Sequence, residues 1–152
     1  MPLDVLGIFE AAESHAAASG YFDRVNFHEP KNAPGHGLTC ALWVQDIGPD
    51  PAATGLVSTS ARLVLNVRVY AGMLQEPQDA IDPAVLIAVI GLIAAYSGDF
   101  ELGGLIRNVD LLGQSGVPLS AAAGYLNQSG HLYRVMTITL PLIVSDVWVQ
   151  AP

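Results

Sequence analysis

Residues 60–74, "SARLVLNVRVYAGML", decide how this chain folds. Ala61, Leu63, Leu65, Val67 and Val69 share one parity. Ser60, Arg62, Asn66 and Arg68 share the other, with Val64 the only apolar residue among them. Successive side chains of a strand point to opposite faces, so this alternation predicts a half-buried strand with its apolar side on the core. Two of the chain's six basic residues, Arg62 and Arg68, fall on the outer side.

Outward from this strand, "LTCALWVQDI" (Leu38–Ile47) alternates in the same way and pairs with it as a long antiparallel hairpin. The stretch between, Asp46 to Thr59, is longer than a hairpin needs, and loops of that length commonly carry a function. It holds Ile47, Leu56 and Val57, apolar groups ill suited to a solvated tip, and Pro49 and Pro51, which limit the freedom lost on docking. These five residues are candidate docking groups. Upstream, "LDVLGIFEAAESHAAASG" predicts a helix with Asp4 as N-cap, Val5, Ile8, Phe9, Ala12 and Ala16 at helical spacing, and Gly20 as the stop. Gly7 is an unfavourable helix residue. "YFDRVNF" is compatible with a short strand, and "HEPKNAPGHG" with a loop.

Downstream, "EPQDAIDPAVLIAVIGLIAAYSGDF" predicts a second helix with Asp82 as N-cap, Pro83 at the first position and Gly98 as the end. No charge lies between Asp82 and Asp99. Val85, Leu86, Ile87, Val89, Ile90, Leu92 and Ile93 wrap most of the circumference. One sheet covers only one stripe of such a helix, so a further surface is expected to cover the rest. The apolar span Pro83–Tyr96 falls short of the roughly 20 residues that cross a bilayer. "GGLIRNVDLLG" predicts a short strand. "SAAAGYLNQSGHLYRVMTITLPLIVSDVWVQ" (Ser120–Gln150) predicts a hairpin turning at Gln128, Ser129 and Gly130, with Met136, Ile138, Leu140 and Leu142 on one face. Pro141 cannot donate to a ladder, so it marks a strand end or an edge. The expected fold is α+β: one domain over residues 1–152, an antiparallel or mixed sheet flanked by helices, in the order α-β-β-α-β-β-β.

Composition narrows the function classes. Charged residues make up 13% of the 152 and hydrophobic ones 51%, against a typical charged fraction of about 25%. A surface so poor in charge is expected to be partly buried against other protein, which favours an oligomer. A net charge of −8 with scattered Arg and a single Lys argues against nucleic-acid recognition, which needs a basic face. The N-terminus lacks a basic segment of the signal-peptide kind, which favours an intracellular chain.

The search for chemistry returns no catalytic, metal or cofactor residues. Cys40 stands alone, on the parity of Leu38 and Leu42, and reads as a buried, inert thiol. His15, His28, His36 and His131 have no zinc spacing. "LGQSGV" has Val117 where a nucleophile elbow needs glycine, so Ser115 reads as a turn residue. Gly35–Gly37 lacks the lysine of a phosphate loop. Asp79 and Asp82 flank a helix start, where capping and the helix dipole account for both.

The runs "SARLVLNVRVYAGMLQEPQDAIDPAVL", "AAYSGDFELGGLIRNVDLLG" and "GYLNQSGHLYRVMTITLPLIVSDVW" resemble the tail terminator proteins of long-tailed bacteriophages of actinobacteria, most of all in "EPQDAIDP" and "YRVMTITLPL". The resemblance implies a structural, non-enzymatic virion protein at the tail–neck junction, assembled in the host cytoplasm. It implies a ring, typically a hexamer, that caps the tail tube and joins it to the head connector. Partners would be further copies of the chain, the tail tube protein and a head-completion or connector protein. Double-stranded DNA would pass through the lumen without specific recognition, and no membrane would be involved. Six copies would carry 6 × −8 = −48 formal charges, a wall that does not hold a passing duplex. Arg62 and Arg68 then have two readings. They are solvated guards of a sheet face, or they pair across a subunit interface with Glu76, Asp79 or Asp82. Two other readings stand beside the terminator: a different neck or tail-tube component, and a small-ligand binding domain built on Tyr21–His36.

Overall fold

A computed structural model of the chain describes residues 4–22, 24–26, 38–50, 58–72, 81–114, 116–128 and 130–149. The strand of residues 60–74 is the middle of the sheet, β3 (Ser58–Gly72). β2 (Leu38–Pro49) lies antiparallel on one side, and β6 (His131–Val149) lies antiparallel on the other. β1 (Arg24–Asn26) adds to the far side of β2 in parallel. β4 (Asn108–Val109) and β5 (Ser120–Gln128) both pair with the far side of β6, one beyond the other. The expected order α-β-β-α-β-β-β holds, with β1 an addition inside "YFDRVNF".

Both helices, α1 (Val5–Ser19) and α2 (Ile81–Gly98), pack on one face of the sheet. Ile8, Ala12 and Ala16 of α1 and Val85, Ala88, Val89, Leu92 and Tyr96 of α2 meet Cys40, Leu42, Leu63, Leu65, Val67, Val69, Ile138, Leu140 and Leu142. The apolar parity of β3 is therefore the core parity. Tyr96 is buried and donates its hydroxyl to the Ala12 carbonyl at 2.9 Å, tying α2 to α1. Its burial pushes the phenol pKa up. Cys40 is fully buried. Burial first, and the Glu13 carboxylate second, push its thiol up to about 12.

Several local expectations change. The hairpin ladder runs from Leu38–Ala71 to Pro49–Ala61, and the Asp50 N–H still reaches the Ser60 carbonyl at 2.7 Å. Residues 46–49 and 58–59 are thus strand, and the connection shrinks to 50–57. Alternation there is blurred by a bulge between Val44 and Asp46. Helix α2 starts at Ile81, so Asp82 sits inside the first turn and acts through the dipole, not as the cap. By length and composition Ile81–Gly98 is long and apolar enough to cross a membrane, yet six of its residues lie buried in the fold. β6 continues through Pro141, which pairs with Val64 across β3. On the other side of β6, β5 ends at Thr139 and β4 begins at Leu142. Pro141 occupies that gap, where its missing N–H leaves no strand unpaired.

Two glycines are explained by neighbours. A Cβ on Gly7 would collide with the Asp4 carboxylate, which caps α1 by accepting the Gly7 N–H at 3.0 Å. A Cβ on Gly91 would lie 2.7 Å from the Tyr21 ring, so α2 is bare where Tyr21 leans on it.

Candidate assembly surfaces

The sheet face opposite the helices carries Arg62, Val64, Asn66, Arg68 and Tyr70 of β3. It is not a plain solvated face. Tyr70, Ala41, Tyr133 and Val135 form a second, small buried cluster there, with Trp43 and Leu126 packed against it. Register places Thr137 beside Arg68 and Ala41 on its other side. The half-buried Arg68 donates its Nε–H to Thr137 Oγ1 at 2.7 Å. Its guanidinium carbon lies 5.2 Å from the Trp43 ring centre and 5.9 Å from that of Tyr70. Cation–π attraction and a charge-assisted hydrogen bond hold it flat within its own chain. Arg62 reaches Asp46 at 3.9 Å, across the β2–β3 ladder.

Asp82 is engaged within its own chain. Arg134 Nε donates to its carboxylate at 2.9 Å. The Arg134 guanidinium also covers the Tyr125 ring at 4.4 Å and donates to the Gly124 carbonyl at 3.2 Å. One arginine thereby ties the start of α2 to β6 and β5. Glu76 and Asp79, and Pro51, Leu56 and Val57 of the docking set, lie outside the described residues. Ile47 and Pro49 are exposed at the end of β2. Ser115, Asp23 and all of the Tyr21–His36 stretch beyond Asn26, His28 and His36 included, lie outside them too. Among the described residues no group of three His, Cys, Asp or Glu side chains is placed to hold a metal ion.

The outward stripe of α2 is apolar and open: Leu86, Ile87 and Ile90 are 46%, 55% and 57% exposed. Its C-terminal end is anchored by charge. Asp99 accepts the Gly103 N–H at 3.1 Å and lies 2.9 Å from His15 Nε2 of α1. The Gly103 hydrogen bond first, and His15 second, hold its carboxyl below the usual range. The His15 ring meets that of Tyr96 edge-on, 5.6 Å between centres.

Among the described residues the arrangement groups charged and aromatic side chains on the open sheet face and at the start of α2. Sequence reasoning placed Arg62 and Arg68 on the right face but missed Trp43, Tyr70 and Thr137 as the cradle of Arg68. Parity puts all of them on one face; only the register between β2, β3 and β6 makes them neighbours.

No family model matches the chain, and no curated protein does. Among solved structures it is similar to the sheath/tube terminator of the PVC extracellular contractile injection system in its extended state, with a TM-score of 0.41 and 12% identity. The alignment covers 100% of this chain, which spans 62% of the length of that one. A likeness at that level is a resemblance in outline and says nothing of how this chain acts.

Proposed function

We propose that this chain is a non-catalytic, single-domain structural protein of a phage tail. It self-associates into a hexameric ring that ends the tail tube and joins it to the head connector in the virion. The observation that carries the reading is the α2 stripe Leu86–Ile87–Ile90, uncovered in the single chain. A chain with only 13% charged residues gains by burying such a stripe against protein. The sequence likeness to tail terminators supplies the kind of assembly. DNA traverses the lumen unread, as the acidic balance allows. Ile47, Pro49, Pro51, Leu56 and Val57 dock on the neck or tube. Arg62 and Arg68, with Glu76, Asp79 and Asp82 as the acidic side, add a minor, salt-sensitive contribution at the margin of that interface.

Sedimentation in physiological salt, with and without tail tubes, tests self-association, and a map of the assembled particle tests position. A ring at the end of the tube is the expected result. A monomer in all conditions together with its absence from the particle would overturn the reading. A position along the tube would instead make it a tube subunit.

A further inference from the structure

β5 is the outermost strand beside β6, and among the described residues nothing pairs with its other side. An unpaired edge is a row of backbone donors and acceptors open to another strand. Proteins guard such edges with charge, proline, bulges or brevity. The opposite edge of this sheet is guarded in all four ways. β1 is three residues long, and β2 carries the Val44/Asp46 bulge, the exposed Asp46 carboxylate and Pro49. β5 runs nine residues, "SAAAGYLNQ", with no charge, no proline and no register shift.

The hairpin fixes which groups point outward. Gln128 faces His131 across a two-residue connection, with Gly130 at φ 78°. Such a connection is closed by a pair that exchanges both backbone hydrogen bonds, and bonded and non-bonded pairs alternate from there. Gln128, Leu126, Gly124, Ala122 and Ser120 therefore bond to β6. Ala121, Ala123, Tyr125 and Asn127 turn their backbone groups outward.

That outward set is complementary to itself. Lay a second copy of β5 antiparallel about a two-fold axis at Gly124. All nine residues overlap. Ala123 faces Tyr125 of the second copy and Ala121 faces Asn127, both as bonded pairs. On each face a large side chain meets a small one: Tyr125 meets Ala123, and Leu126 meets Ala122. No like charges meet. The same axis keeps the helices of both copies on one side of a continuous sheet. α1 packs over β1 and β2 and α2 over β3 and β6, and Gly91 marks the flank of α2 that meets Tyr21. The other flank, with Leu86, Ile90 and Ile93, lies on the side where Asp82 meets Arg134, whose guanidinium covers Tyr125 of β5. It would face its own copy across a groove floored by Tyr125 of both chains, which is 63% exposed in the single chain. One occupant thus accounts for the unguarded edge and the apolar flank.

We propose that the free chain forms a two-fold dimer by pairing β5 with β5 of a second copy, Gly124 lying on the axis. The pairing does not rest on the ring reading. A ring joining two different partners is polar and has no such two-fold axis. Where both hold, the dimer is a pre-assembly state whose β5 edge opens before the ring closes.

Disulfide trapping of the free chain tests this. A Cβ on Gly124 makes only an ordinary contact, 3.8 Å from Val135, so Gly124→Cys fits the fold. Facing residues of an antiparallel non-bonded pair have Cα atoms about 4.5 Å apart, within disulfide reach. In Ala122→Cys the two thiols are displaced by four residues, about 13 Å along the strand, beyond the roughly 7 Å limit. Cys40 is buried and does not compete. Mild oxidation is expected to convert Gly124→Cys, but not Ala122→Cys, to a covalent dimer. A mixture of Ala123→Cys and Tyr125→Cys chains should give the heterodimer, which covers the case of a misfolded Gly124→Cys. Ala123→Lys should weaken the dimer seen by sedimentation by roughly tenfold or more, with an unchanged melting curve at dilutions where both chains are monomeric. A wild-type monomer at ~100 μM overturns the proposal, as do failure of both traps and equal trapping at residue 122. None of these results would remove a ring formed on tail tubes, so the two readings fail separately.

Discussion

Arg68→Ala separates a solvated arginine from one built into the fold. A surface substitution away from packing features changes stability by under about 0.5 kcal/mol. Arg68 is not in that class. Its Nε–H bond to Thr137 Oγ1 is 2.7 Å long, and a hydrogen bond from a charged group contributes about 1.5–3 kcal/mol when shielded. Its guanidinium lies over Trp43 and Tyr70, each contact contributing about 0.5–1 kcal/mol at a partly exposed site. Half-burial and the shared side chain reduce the sum, and water partly replaces the lost bond. The expected loss is about 2 kcal/mol. Arg68→Lys keeps the charge over the rings but lacks the Nε–H and the planar group, so it should recover about half of that loss. Thr137→Val removes only the acceptor, and its effect should shrink when Arg68 is already alanine. Urea unfolding at constant m is the assay. An Arg68→Ala midpoint equivalent to less than about 0.5 kcal/mol of loss would refute this account and return Arg68 to the solvated class.

Cys40→Ser should lower stability by about 1–3 kcal/mol, because the hydroxyl enters an apolar core without a partner; with the thiol pushed up to about 12, a thiol reagent at pH 8 should react only as the chain unfolds. Asp99 has a folded pKa below its ordinary value, so its contribution is present above the unfolded carboxylate pKa and is lost as pH falls through the folded one. Asp99→Asn should flatten that acid limb in melting temperature against pH, and an unchanged slope would count against the His15–Asp99–Gly103 anchor. Gly7→Ala should destabilise α1 by about 0.5–2 kcal/mol, against alanine's helix preference, by displacing the Asp4 cap; circular dichroism showing a gain in stability would contradict it. Replacing residues 51–55, beyond the last pair of the hairpin ladder, with a short Gly/Ser turn should leave the fold intact and yield tails that do not join heads, whereas normal virions would show that segment to be a linker.

Periodicity carried most of the fold, because its core has a single sheet with one strongly apolar face. β3, β2, α1 and the last hairpin were each legible from alternation or 3.6-residue spacing together with a cap or turn glycine. What was misplaced lies where a tertiary neighbour overrides a local rule. Pro141 looked like a strand end because a proline removes a ladder donor. Nothing local says that β5 and β4 leave a gap opposite that residue. Asp82 looked like a cap because Pro83 follows it, but the helix begins two residues before Pro83, at Ile81. Gly7 looked like a weak point in α1, and the structure makes it the space in which the cap sits.

The surfaces were less legible, for a reason that bears on assembly. Parity says which face a charge is on; it does not say what the charge touches. Arg62, Arg68, Arg134, Asp46 and Asp82 all find partners in their own chain, so these five charges hold the subunit itself together. The exposed stripe of α2 and the outer edge of β5 are left without charge. Self-association built on such surfaces depends on buried apolar area and backbone hydrogen bonds, which salt screens weakly. A salt-insensitive assembly would fit these surfaces, whereas an assembly that dissolves in moderate salt would return the interface to Arg62, Arg68 and their acidic partners.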